Sequence, residues 1–226
     1  MSGRYPQAGY TYTVGPRFAA QRPVSTSSTE IRHITIASLV LTLDFVLVYG
    51  GPAVYPVKTE LLIIGSAATA AVTAFVAHEL AHKISAQRRG YWAEFRLSPF
   101  GLLVSVLVAA STRFLFAAPG ATMIGGMTTP EDWGRTSLAG PATNFVFAIL
   151  FLGSSFAIAA IYPSESTFSG TLLFLAYING WFGAFNMIPI GPLDGAKVWR
   201  WNKSVWVGSF IVFAAVAGVL LYLIGF

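Results

Sequence analysis

Five long apolar segments constrain the fold of this chain more than any other feature. They lie at roughly 31–50, 60–84, 137–162, 169–190 and 204–226. About 20 apolar residues in a helix are enough to cross the hydrocarbon core of a bilayer. Charged residues make up only 10% of the chain, against about 25% in soluble domains. The sequence therefore predicts an all-α polytopic membrane protein with five or six transmembrane helices.

The sixth helix depends on the apolar stretch 97–127. Ser111, Thr112 and Arg113 interrupt it, and Pro119 and Gly120 follow. This stretch is either one more span or a segment that dips into the membrane and returns to the side it left. The second alternative predicts five spans and a small membrane-associated β-hairpin or re-entrant segment.

The distribution of positive charge favours the returning segment. If 97–127 returns, all Lys and Arg residues except Lys58 lie on one side of the membrane. Cytoplasmic loops carry such an excess, so we expect a multi-pass protein of the cell membrane with its basic tail and active-site loops in the cytoplasm. The net charge of +5 then reflects topology, and no nucleic-acid partner is predicted.

Residues 1–30 differ in composition from the rest of the chain. They are polar, rich in Pro, Gly, Ser and Thr, and have no apolar run of their own. We interpret 1–30 as a flexible polar tail whose last hydroxyl residues cap the first helix, and 31–226 as the transmembrane domain.

The motif His-Glu-Leu-Ala-His ends the second apolar segment. His78 and His82 are four residues apart, so both imidazoles lie on one face of a helix. Glu79 is turned by about 100° from His78, where it can reach a water on the metal without being a ligand. This is the pattern of two zinc ligands and a general base. A chance occurrence is disfavoured because ionisable groups inside a span are costly.

A zinc site of this kind needs a third protein ligand. The chain has no cysteine, and two carboxylates remain as candidates, Asp44 and Asp194. Asp44 would lie about 18 Å into the first span and His78 about 9 Å from the inner end of the second, so their depths match poorly. Asp194 follows the fourth span, on the side of the membrane where the second span ends with the two histidines. We therefore expect Asp194 to be the third ligand of one Zn²⁺ ion.

The stretch before Asp194 contains residues that interrupt a helix. Pro189 and Pro192 prevent regular helix here and leave backbone groups free to bind substrate. Stripes of small residues on the second, third and fourth spans predict close packing around one polar site. Asn144 and Asn186 lie on these spans and could hold a substrate carbonyl or oxyanion, or make interhelical hydrogen bonds.

Three motifs in this order resemble the site-2 protease family of intramembrane zinc metalloproteases. They are "HELAH", "AGPATN" and "NMIPIGPLDG", and the likeness covers roughly 60–200. The resemblance implies that His78, His82 and Asp194 bind zinc, that Glu79 is the base and that Asn186 contacts substrate or oxyanion. It also implies a membrane-associated β-sheet after the first motif, which 95–127 would supply.

The expected activity is hydrolysis of peptide bonds within transmembrane helices of protein substrates. The expected partners are such a helix and the lipid bilayer, and the chain could form a homo-oligomer. A catalytically inactive metal-binding protein or a metal transporter on the same scaffold is the alternative.

Overall fold

The structure is a computed structural model that describes residues 24–48, 57–112, 115, 119–127 and 129–225. Within these residues, five helices are long and apolar enough to cross a membrane. They are Ser28–Val48 (α1), the continuous helix Glu60–Arg88, Pro130–Ile161 (α5), Ser166–Asn186 (α6) and Lys203–Leu223 (α8). The predicted class and the positions of all five spans are confirmed.

The second span has three parts that run on as one helix. These are α2 (Val57–Ala70), a π-helical segment (Ala71–Val76) and α3 (Ala77–Arg88). The helix ends at Arg88, and Gly90, two residues later, has a φ of 83° that is favourable only for glycine. Gly90 N–H donates to the Gln87 carbonyl and Tyr91 N–H to the Ala86 carbonyl, which is a Schellman C-cap. This cap turns the chain directly into the first strand.

Two strands flank a short helix in the region that could have been a sixth span. β1 (Trp92–Leu97) and β2 (Gly120–Gly125) are antiparallel, and α4 (Pro99–Thr112) lies between them. Helix α4 has 14 residues, fewer than the roughly 20 that a span needs. Leu97 pairs with Gly120, so the chain comes back to the place it left. The structure therefore has a returning segment rather than a sixth span.

Helix α5 lies at the centre of the bundle and contacts α3, α6 and α7. Its close approach to α6 depends on Gly183, since a Cβ there would lie 3.2 Å from the Pro141 carbonyl oxygen. The last helices are α7 (Asp194–Trp201) and α8. The predicted packing of the second, third and fourth spans around one site is confirmed.

The first helix begins at Ser28, and the residues just before it pack on the protein. Ser27 Oγ accepts a hydrogen bond from Glu30 N–H, as expected for an N-cap. Glu30, which the sequence places in the tail, lies in α1 and is completely buried. Its carboxylate pairs with Lys83 Nζ at 2.6 Å. Residues 1–23 lie outside the described part of the chain, so the flexible tail stays a prediction there.

Candidate metal centre

Asp194 is brought to the site by the irregular stretch between α6 and α7. Gly191 in this stretch has a φ of 56°, a left-handed conformation that suits glycine. Gly195 packs against the Met187 carbonyl so closely that a Cβ would lie 2.0 Å from its oxygen. The chain therefore folds back on itself after α6, and Asp194 becomes the first residue of α7 in a buried position.

His78, His82 and Asp194 converge at one point. His78 Nε2 and His82 Nε2 are 3.0 Å apart, and Asp194 Oδ2 lies 3.2 Å from the first and 3.1 Å from the second. Two ligands of a tetrahedral zinc ion are separated by about 3.3 Å when each is about 2.0 Å from the metal. Among the described residues, this is the group of three potential ligands that could hold a metal ion.

The outer nitrogens of both rings are fixed by hydrogen bonds. His78 Nδ1 lies 2.5 Å from Asn144 Oδ1, and His82 Nδ1 lies 2.7 Å from the Thr136 carbonyl oxygen. Because both partners are acceptors, each Nδ1 carries a hydrogen and each Nε2 is available as a ligand. Three acceptor atoms then meet within 3.2 Å, an arrangement that a cation between them would stabilise. The donor set fits a metal ion.

Asn144 belongs to a chain of buried amides. Its Nδ2 donates to the Ala74 carbonyl at 2.9 Å and to Asn179 Oδ1 at 3.3 Å. Asn179 in turn donates to Thr73 Oγ1 at 3.0 Å. Asn144 is fully buried and all its polar atoms are used, so it makes the interhelical hydrogen bonds that were the alternative to substrate contact. Ala74 and Thr73 lie in the π-helical segment, a distortion that is frequent at functional sites.

Glu79 is partly exposed and contacts the sheet. Its Oε2 accepts hydrogen bonds from Thr122 N–H and Thr122 Oγ1–H, each at 2.8 Å. Thr122 lies in β2 and is 43 residues away in sequence. No sequence pattern indicates this contact, because a single threonine in a short strand is not distinctive.

The other predicted residues lie in different surroundings. Asn186 is partly buried and its amide donates to the Phe182 carbonyl of its own helix at 3.0 Å. Pro189 and Pro192 are exposed in the stretch before Asp194. Asp44 is completely buried in α1, and neither carboxylate oxygen has a hydrogen-bond partner among the described residues. Asp44 is not part of the convergent group, whereas Asp194 is.

Opposing effects act on the Asp194 carboxyl. Burial raises its pKa, but nearby positive charge, including that of Lys197, lowers the pKa well below its usual range. Lys197 Nζ lies 3.4 Å from Asp194 Oδ1. The carboxylate is therefore ionised at neutral pH, as metal binding requires.

Comparison with known sequences identifies the family. The sequence model of peptidase family M50 matches residues 151–211. A protein of Methanocaldococcus jannaschii named "Putative zinc metalloprotease MJ0611" is 34% identical over 198 residues, which cover 87% of this chain and 95% of that protein. The chain belongs to peptidase family M50. This is the site-2 protease family, so the resemblance inferred from the three motifs is confirmed.

A second relative is longer than this chain. The protein named "Putative zinc metalloprotease Rip3" of Mycobacterium tuberculosis is 31% identical over 147 residues. The match covers 65% of this chain and 33% of Rip3. No solved structure matches the chain. Membership of the M50 family supports a metalloprotease function. The residues that could hold its metal ion are His78, His82 and Asp194.

Proposed function

We propose that this M50 protein is a zinc-dependent intramembrane endopeptidase that cleaves peptide bonds within transmembrane helices of other proteins. The observation that carries the proposal is the convergence of His78, His82 and Asp194 next to Glu79, a partly exposed carboxylate on the same helix. His78, Glu79 and His82 lie toward one end of the helix Glu60–Arg88, which is apolar and long enough to span a bilayer.

His78, His82 and Asp194 would hold one zinc ion. When bound, zinc lowers the pKa of water toward about 7 and polarises a carbonyl group. A set of two histidines and one carboxylate would leave a coordination position for water or substrate. Asn144 and the Thr136 carbonyl keep each Nε2 directed at the ion through their hydrogen bonds to Nδ1.

Glu79 would move the proton. Its carboxylate accepts a proton from the attacking water, whose oxygen bonds to the scissile carbonyl carbon. Glu79 then passes that proton to the nitrogen of the leaving amine as the C–N bond breaks. Asn186 would contact the oxyanion after releasing the Phe182 carbonyl, and backbone groups near Pro189 and Pro192 would hold the substrate chain.

The substrate helix must unwind before its peptide bond can be reached. The outer edge of β1 is covered, since Gln87 Nε2 donates to the Ala93 carbonyl and Phe95 N–H donates to Glu30. The outer edge of β2 faces α3, where Glu79 lies. An unwound substrate segment would add to the part of the β2 edge that Glu79 does not occupy, as extended peptides add to strand edges. By the charge bias, this side of the membrane would be the cytoplasmic side.

The test is cleavage of a helix-destabilised transmembrane substrate by purified protein in detergent. Glu79→Gln removes the base but none of the zinc ligands, so we expect turnover to fall at least about 10³-fold with zinc content unchanged. Glu165→Gln is the matched control, because Glu165 is an exposed glutamate near the start of α6, and it should cleave like the wild type.

Other outcomes separate the alternatives. Zinc bound by a wild-type protein that cuts no transmembrane substrate would favour the metal-binding or transport function. Equal cleavage by wild type and Glu79→Gln would contradict the role of Glu79.

A further inference from the structure

The two strands present matched backbone groups on their outer edges. Phe95 and Thr122 are direct cross-strand partners, and the N–H groups of both point away from the sheet. In an antiparallel pair such outward groups belong to a pair without mutual hydrogen bonds. Phe95 N–H donates to Glu30 Oε1 at 2.9 Å, and Thr122 N–H donates to Glu79 Oε2 at 2.8 Å. A carboxylate therefore closes each edge at this position.

Thr122 gives Glu79 a second donor. The hydroxyl Oγ1 lies 2.8 Å from Glu79 Oε2 and 3.0 Å from the Glu79 carbonyl oxygen. The backbone N–H and the hydroxyl of Thr122 both contact Oε2, while no hydrogen bond reaches Oε1 from the described residues. One carboxylate oxygen is thus anchored, and the other is available to accept a proton.

Strand β2, which supplies these donors, is itself held to α3, the helix that carries Glu79. Lys83, one turn after Glu79 on α3, pairs with Glu30 at 2.6 Å, and both side chains are buried. Glu30 binds β1 through Phe95 N–H, and β1 binds β2. The contacts from α3 through Lys83, Glu30, β1 and β2 therefore lead back to α3 at Glu79. This closed ring of contacts holds the N–H and hydroxyl of Thr122 in place before substrate arrives.

We propose that Thr122 is a positioning residue that orients the Glu79 carboxylate for proton transfer. The inference rests on the proposed function, because it assigns Glu79 the role of base. A base works only from a defined geometry, and Glu79 alone has several rotatable bonds. Thr122 removes this freedom by binding Oε2, which leaves Oε1 for the proton.

The kinetic test compares a variant that removes the hydroxyl at nearly constant side-chain volume with a variant that keeps the hydroxyl. Thr122→Val removes the hydroxyl and should lower kcat about 10-fold with KM and zinc content unchanged. Thr122→Ser keeps the hydroxyl and should restore most of kcat. Thr171→Val is the control, because the Thr171 hydroxyl donates to the Thr167 carbonyl of its own helix, and it should match the wild type. An unchanged or raised kcat in Thr122→Val, or a loss that appears only in KM, would overturn the proposal.

A second measurement does not depend on activity. Hydrogen exchange of the Thr122 amide is compared between wild type and Glu79→Ala at single-residue resolution. Loss of the acceptor should speed exchange at Thr122 about 10-fold or more and leave Phe95, whose N–H is bound by Glu30, unchanged. Equal exchange at Thr122 in both proteins would show that the contact does not form. A protein with this exchange difference but no protease activity would instead refute the proposed function.

Discussion

Gly140 determines how closely α5 approaches the two histidines. A Cβ at this position would lie 2.5 Å from His82 Nε2 and 2.6 Å from His78 Nε2. These are the two nitrogens that face the proposed metal, so the space above Gly140 belongs to the centre. Thr136 and Asn144, which accept hydrogen bonds from the two histidine rings, lie one turn before and one turn after Gly140 on the same helix.

Gly140→Ala tests this arrangement at the scale of one residue. The added methyl group would displace the imidazoles, and we expect zinc affinity to fall at least about 10-fold, since ligand geometry must be held within a few tenths of an ångström. Gly153→Ala on the same helix is the matched control, because nothing lies within 4 Å of a Cβ there. Zinc titration of the apo proteins is the measurement. Wild-type affinity in Gly140→Ala would contradict the placement of α5.

The sequence predicts only part of this residue-scale detail. The stripe of Gly140, Asn144 and Ala148 indicates a helix face that packs closely, and the structure confirms it. The pattern does not distinguish an asparagine that binds substrate from one that holds a histidine ring, because both lie on the same face. Only the 2.5 Å contact with His78 Nδ1 separates them.

Among the elements, α1, α3 and β1 are joined by one buried ion pair. Lys83 Nζ donates to Glu30 Oε2 at 2.6 Å and to Thr26 Oγ1 at 2.7 Å, and the other oxygen of Glu30 accepts Phe95 N–H. Burial of either charge without the other is costly. The pair therefore fixes the start of α1 against the helix that carries the histidines.

Lys83→Met should destabilise the protein by about 3–5 kcal/mol, because it leaves the buried Glu30 charge without its partner. The double variant with Glu30→Gln should recover much of that loss. Glu131→Gln is the control: the pair of Glu131 with Arg135 is more than half exposed, and such pairs contribute about 0–1 kcal/mol. Thermal unfolding in detergent measures all of them. A melting temperature of Lys83→Met equal to that of the wild type would refute this role.

For the molecule as a whole, the returning segment decides the side on which each loop lies. Since β1 pairs with β2, the second span ends on the same side as α5 begins, and the two spans α5 and α6 then return the chain to that side. His82 on the second span and Asp194 after the fourth can then meet, as they do at 3.1 Å. A sixth full span would place them on opposite faces.

Single cysteines test this topology, since the chain has none of its own. We expect Glu131→Cys and Asn202→Cys to react with a membrane-impermeant maleimide only after cells are permeabilised, and Ser164→Cys to react in intact cells. All three positions are exposed, so access rather than burial governs labelling. Equal labelling of Ser164→Cys and Asn202→Cys in intact cells would contradict the topology.

The sequence by itself determined the features that are local in the chain. Apolar length marks the five spans, the i, i+4 spacing places His78 and His82 on one face, and the charge bias predicts which loops share a side. Each of these follows from the geometry of a single helix or from the energetics of one segment in a bilayer.

Tertiary structure decided which distant groups meet. Asp44 and Asp194 are both carboxylates near apolar segments, and only the fold of 187–194 brings one of them to the histidines. By composition Glu30 belongs to the polar tail, yet packing buries it against Lys83. Thr122 reaches Glu79 only because β2 pairs with β1. Contacts between residues far apart in the chain depend on how helices pack, which no local pattern encodes.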